Sequence, residues 1–325
     1  MITVERAGYF TTVQDLGRTG FRVCGVSLGG ALDPHALAVA NLLAGNAEDA
    51  AGLEATLGQL TLRFEDTRVI AWAGGDFDVE IAGMDFPSGH AAVIRPNEQL
   101  TLTAPTNGAR AWLAISGGVD VPPVLGSRST DVRAGFGGLN GRPLQDGDQL
   151  PLGPLSVTAS RIARRIGQDR IASWCAPWEW VSTAPLHPFL RIVPGADWLA
   201  FEEATLKAHQ IFTVTPASDR MGLRLQGEPL ARRKKDELIS SSVAPGTLQV
   251  PPDGQPILLL GDCQTIGGYP KIAHVITVDM PAAAQLRPGD QVRFAEVTLA
   301  EAQVLLTERK RDLERFRVGL GLQCP

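Results

Sequence analysis

Four glycine-dense strings carry the residues best suited to chemistry: GVSLGGALD at 25–33, GSRST at 126–130, FGGLNGR at 136–142 and GDCQTIGGYPK at 261–271. Glycine admits positive φ and lets backbone N–H groups come close to a ligand, so such loops can cradle an anion. Arg128, Arg142 and Lys271 lie in or beside these strings. A cation next to exposed N–H groups is what recognition of a carboxylate or phosphate requires. The competing reading of a glycine string is a tight corner in a β-barrel. None of the four has the GxxxxGK[ST] spacing of a Walker loop, and none follows GxGxxG in a βαβ unit, so the chain shows no nucleotide motif of its own.

Asp262 follows an apolar strand-like run, a position that presents a carboxylate at a barrel rim as a general base or as the acceptor for an amide N–H. It could equally be a turn-former, and Asp76 occupies the same position after the run from Val69. Arg220 and Arg224 flank a glycine in an Arg-x-Gly-Φ-Arg element that Arg18 and Arg22 repeat. Such pairs could be anion clamps, or guanidiniums that tie a turn to backbone carbonyls. Ser240, Ser241 and Ser242 have no His/Asp partner that the sequence places beside them, so a hydrolase triad is not expected. His35, His90, His187, His209 and His274 show no HxH or HExxH spacing, and no metal site is expected. The basic run Arg232, Arg233, Lys234, Lys235 could meet a nucleotide held by a partner, although a charge run is more often a solvated loop.

The elements that must hold these residues come as two copies. RTGFRVCG at 18–25 returns as RMGLRLQG at 220–227, GQLTL at 58–62 as GTLQV at 246–250, and RPNEQLTL at 95–102 as RPGDQVRF at 287–294. The order is kept while the offsets drift, which describes a duplicated domain with loop insertions. With 35 Gly and 23 Pro in 325 residues, the runs between turns are short and β-like. They cover 68–73, 99–103, 110–116, 256–260, 273–279 and 291–295, a barrel or sandwich pattern. Helices are expected at 33–46, capped by Asp33 and Pro34, at 198–208 behind Asp197, and at 299–316 behind a Thr298/Glu301 capping box. The expected layout is a first module over 1–154, a linker over 155–188 and a second module with a C-terminal helix over 189–325. Trp174, Trp178 and Trp180 in that linker are expected to pack over the seam rather than to form an exposed surface.

A net charge of -5 and 44% apolar residues exclude a nucleic-acid or membrane-surface partner as the leading idea and leave small molecules and proteins. Four widely spaced cysteines fit reduced thiols in a cytoplasmic protein, and no apolar run approaches a membrane span.

The strings VQDLGRTGF, GGALDPHALAVANLLAGN, LEATLGQLTL, ISGGVDVPPVLGSRSTD, SDRMGLRL, GTLQVPPDGQPILLLGDCQTIGGYPKIAHVITVD and QLRPGDQVRF together resemble the KipA-like, biotin-dependent carboxyltransferase family over residues 1 to about 300. Ile266 stands where a second hydroxyl residue is expected. The resemblance implies a mainly β fold of tandem duplicated cyclophilin-like β-barrel domains. It further implies a component of an ATP-dependent 5-oxoprolinase, using ATP with Mg and opening 5-oxo-L-proline to L-glutamate. Its partners would be a KipI-like subunit (the B subunit of 5-oxoprolinase) and a third component (the A subunit). The alternatives are a carboxyltransferase acting on urea or a related amide with biotin on a separate carrier, and a non-catalytic module that regulates a histidine kinase. For the site, the expectation is Lys271 as the cation facing substrate, Asp262 as amide orienter or base, Gln249 and Ser241 as hydrogen-bonding partners, and Arg220 and Arg128 as anion-binding residues.

Overall fold

The computed structural model describes residues 1–181, 188–202, 206, 210–233 and 238–323. His187, His209, Lys234, Lys235 and Cys324 therefore lie outside the described residues, as does part of the helix expected over 198–208. Two compact units divide the chain: Met1–Arg18 with Gly29–Thr183 and Asp312–Pro325, and Thr19–Leu28 with Ala184–Arg311. The fold is mainly β.

The first unit holds two six-stranded antiparallel sheets. One runs Gln149–Leu150, Ile2–Ala7, Leu60–Phe64, Gln99–Leu102, Val79–Ile81, Met84–Asp85; the other runs Ile171–Cys175, His90–Ile94, Arg68–Asp76, Asn107–Ile115, Gly52–Thr56, Phe10–Gln14. Alternation decides which side chains enter the core. In Leu60–Phe64 the three apolar residues are buried while Thr61 and Arg63 are not. Ile2, Val4, Leu62 and Phe64 from one sheet join Ile70, Trp72, Leu53 and Leu113 from the other in one apolar cluster. Helix α1 (Pro34–Leu43) packs against Arg68–Asp76, which explains why that strand is buried on both faces up to its last residue. Its cap is as the sequence implies: the Asp33 carboxylate accepts the Ala36 N–H at 2.9 Å. Helix α2 (Val157–Ile166) and strand Ile171–Cys175 occupy the stretch expected as linker, and that strand pairs with His90–Ile94. Of the linker tryptophans, Trp180 packs edge-on against His35 and Phe316, whereas Trp178 is 74% exposed.

The second unit is a closed seven-stranded barrel in the order Phe189–Pro194, Lys271–Val275, Thr247–Gln249, Ile257–Leu259, Gly222–Gln226, Phe212–Val214, Gln291–Glu296. The last strand returns parallel to the first, and closure leaves no unpaired edge. The strand expected over 273–279 begins at Lys271 and ends at Val275; Thr277–Asp279 turns into a short 3-10 helix leading to α3 (Met280–Ala284). The reason is Asp279, whose carboxylate takes the Arg191 backbone N–H at 2.7 Å and both guanidinium arms, pulling the chain out of the ladder. Helix α4 (Leu299–Gln323) starts at the capping box, with the Glu301 carboxylate taking the Thr298 N–H at 2.8 Å.

The sequence echoes have unequal structural worth. In RPNEQ and RPGDQ the same turn forms twice: Arg95 N–H donates to Glu98 at 2.8 Å, and Arg287 N–H donates to Asp290 at 2.7 Å. RMGLRLQG supplies a barrel strand from Gly222, but RTGFRVCG forms a loop and a 3-10 helix over Arg22–Cys24. There the arginines are spent on carbonyls: Arg18 on Ser129 and Val124, Arg22 on Val243.

Buried Asp15 organises the loops of the first unit. Its carboxylate accepts the Gly17 N–H at 2.8 Å, the Ser127 and Ser129 hydroxyls at 2.6 Å each, and the Arg128 N–H at 2.5 Å. GSRST is thus shaped around an internal carboxylate. Gly137 (φ 71°) has to be glycine, because a Cβ there would strike the Ser129 carbonyl and the Arg18 guanidinium. Asp15→Ala strands several buried donors and should lower unfolding stability by at least about 3 kcal/mol in urea denaturation; a loss below about 1 kcal/mol would show that the loops do not depend on this carboxylate.

Candidate functional site

Each of the three loop cations meets a different fate. Arg142 makes two 2.8 Å hydrogen bonds to Asp148, and that guanidinium holds the Asp148 carboxyl below its usual range. Arg128 reaches Asp120 at 3.1 Å from a 40% exposed side chain and belongs to the first unit, whereas the barrel belongs to the second. Lys271 is only 8% exposed, and among the described residues its ammonium has no carboxylate or other hydrogen-bond partner. The side chain is largely covered, yet its ammonium reaches solvent, since it is not among the fully buried polar atoms that lack a partner; a cation so placed is open to an anionic ligand.

Local structure explains how a lysine is held there. Thr247 pairs with His274, Leu248 with Ala273 and Gln249 with Lys271, so the ladder skips Ile272. This β-bulge re-aims the strand. Its displaced backbone is satisfied from the neighbouring turn: Gly195 N–H donates to the Ile272 carbonyl at 2.8 Å, while Asp197 accepts the Lys271 N–H at 2.8 Å and returns an N–H to its carbonyl at 3.1 Å. In a regular strand residues 271 and 274 would face opposite sides. The bulge puts both on the face shared by Thr247 and Gln249, while Leu223, Leu258, Leu248 and Ala273 share the other.

A two-stranded ribbon, Ser241–Ser242 with Ile266–Gly267, belongs to the same region. A Cβ on Gly267 would lie 2.6 Å from Gln249 Nε2, so the ribbon backbone rests directly on that amide. Gln249 is buried; its Oε1 accepts from Gln264 at 3.2 Å and its Nε2 donates to the Tyr269 carbonyl at 3.4 Å. Beside it opens a cavity of about 630 Å³ lined by Val250–Gly254, Gly268–Pro270 and Pro229–Arg232 among others. Apolar walls meeting a few fixed polar groups are the usual form of a small-molecule site.

Of the sequence-expected residues, the structure brings Lys271, Gln249 and Ser241 together, Ser241 exposed on the ribbon. Arg220 and Asp262 are engaged with each other: Nε meets Oδ2 at 2.8 Å and an Nη meets Oδ1 at 3.1 Å. That geometry turns an expected anion clamp and an expected base into a forked ion pair anchoring the start of the Gly261–Pro270 loop. The sequence reading missed Thr247, Gln264 and His274. The signal available for them was position on a β-run, and it is inverted by the bulge. Among the described residues no group of three or more His, Cys, Asp or Glu could hold a metal ion, and no helix is long and apolar enough to cross a membrane.

Cys263 follows Asp262 and is fully buried with Val243 and Leu259. Burial pushes its thiol up to about 11 despite the nearby Arg22 guanidinium. Since the thiolate is the reactive form, Cys24 and Cys175, both exposed, should be alkylated in native protein at pH 8 while Cys263 reacts only on unfolding; peptide mass spectrometry showing equal labelling would contradict this. Because the Arg220–Asp262 pair is largely buried, a double-alanine cycle should read a coupling of about 2 kcal/mol, and additive effects would show that the fork carries no energy.

A family model described as "Carboxyltransferase domain, subdomain A and B" matches residues 24–296. The chain is 40% identical to the C subunit of 5-oxoprolinase from Escherichia coli (strain K12), covering 97% of each. It is 35% identical to the C subunit of 5-oxoprolinase from Haemophilus influenzae, covering 94% of each. Among solved structures, the Kluyveromyces lactis urea carboxylase superposes with a TM-score of 0.87 at 26% identity, covering 97% of this chain and 29% of that one. These matches place the chain in the carboxyltransferase domain, subdomain A and B, family.

Proposed function

We propose that this chain is part of an ATP-dependent 5-oxoprolinase that opens 5-oxo-L-proline to L-glutamate together with a third component and a KipI-like subunit, in the cytoplasm. The observation that supports the reading is Lys271, a cation on a largely covered side chain with no acid partner among the described residues, directly following Pro270 in the wall of a cavity of about 630 Å³. The near-full-length match to two proteins named as the C subunit of 5-oxoprolinase supports the choice of substrate.

A lactam is a poor electrophile, and transfer of a phosphoryl group from ATP to its carbonyl oxygen, releasing ADP, makes the ring carbon electrophilic; water adds there, the C–N bond breaks as the nitrogen takes a proton, and a second water hydrolyses the resulting acyl phosphate to the carboxylate and phosphate. The chain's contribution is positioning and charge. Lys271 holds the substrate carboxylate or the charge on the transferring phosphoryl group. Gln249, with one N–H on Tyr269 and its oxygen on Gln264, has a second N–H for the lactam oxygen, and Ser241 offers a hydroxyl from the ribbon. Asp262 and Arg220 act through the loop that they fix. ATP enters as co-substrate.

The likeness to a urea carboxylase favours one other reading, transfer of a carboxyl group from biotin on a separate carrier to urea or a related amide. One assay separates the two. The purified chain with both partners should hydrolyse ATP only when 5-oxo-L-proline is present; biotin-dependent bicarbonate fixation without that turnover would support the carboxyltransferase instead. Lys271→Met should reduce turnover at least about a hundredfold while leaving the melting temperature unchanged, since the ammonium has no hydrogen bond or ion pair among the described residues to lose. Turnover at the wild-type rate would remove Lys271 from the site.

A further inference from the structure

His274 shares with Lys271 the face created by the bulge, and it has a built hydrogen bond. Its Nδ1 lies 3.2 Å from the Thr247 hydroxyl, which also accepts the Ala244 N–H at 3.1 Å. A hydroxyl so placed can accept a hydrogen bond from Nδ1–H, which leaves Nε2 as the ring nitrogen available to a ligand. His274 is exposed while Lys271 is buried, so the pair runs from solvent to the covered interior of the site. We propose that His274 is the second anion-binding group of this site, so that the anionic oxygens of a substrate carboxylate or phosphoryl group sit between its imidazole and the Lys271 ammonium. The proposal rests on the 5-oxoproline reading only for the identity of the anion.

Two cations on one face of a strand repel, and the ligand-free protein avoids this by keeping the imidazole neutral. The side chain as a whole is exposed, but the ring is partly desolvated against its strand; that first, and the Lys271 charge second, hold His274 below the usual imidazole value. The groups facing it are Lys271 on its own strand, Thr247 on the next, and uncharged Val193 opposite on Phe189–Pro194. A bound anion cancels the repulsion and favours the protonated ring. Affinity therefore climbs as pH falls through the ligand-bound titration and levels off below the ligand-free one; above both, only Lys271 contributes.

The test is an NMR titration of the His274 ring in the full chain, its signal assigned by loss in His274→Gln. Saturating sulfate and saturating 5-oxo-L-proline should each raise the His274 midpoint by about one unit, which equals tenfold tighter binding to the protonated form, and the shift should vanish in Lys271→Met or Lys271→Gln. A shift with sulfate but none with 5-oxo-L-proline upholds the anion pair and sinks the substrate. No shift with either, or an undiminished shift in both lysine variants, overturns the proposal.

Discussion

The skipped residue at Ile272 is the constraint on which the rest of the site depends. Without it the strand Lys271–Val275 would send Lys271 and His274 to opposite faces. With it, Thr247, Gln249, Lys271 and His274 line one wall. The cost of a bulge is unpaired backbone, and here the Gly195–Asp197 turn supplies the missing partners. A closed barrel makes such a device durable, because neighbouring strands on both sides hold the register.

The first unit shows what the same ingredients look like when charge is fully answered. Asp15 is wrapped by four donors, Arg142 by Asp148, and Glu54 receives the Leu32 N–H and the Trp112 indole at 2.8 Å each, with Arg110 3.7 Å away. Every one of these groups is a cross-brace between loops or strands. These charges brace structure, whereas the Lys271 ammonium makes no such bond among the described residues.

Much of this was legible in the residues. The caps of α1 and α4, the β-rich class and the RPxxQ turns follow from local chemistry that tertiary contacts do not override. Lys271, Gln249 and Ser241 were reachable because a cation next to glycines is a local pattern. His274 was not, since a bulge leaves no trace in the alternation it disrupts. Arg220 and Asp262 are 42 residues apart, and only the fold shows that each is the other's counter-ion. The halves also close differently: one unit forms two six-stranded sheets and the other a barrel.

A crystal structure of the chain with 5-oxo-L-proline tests the central claim most directly. The account predicts the ligand carboxylate within hydrogen-bonding distance of Lys271 Nζ, on the wall shared by Gln249 and Thr247. A ligand bound elsewhere, with Lys271 Nζ paired to a carboxylate of the protein, would contradict it.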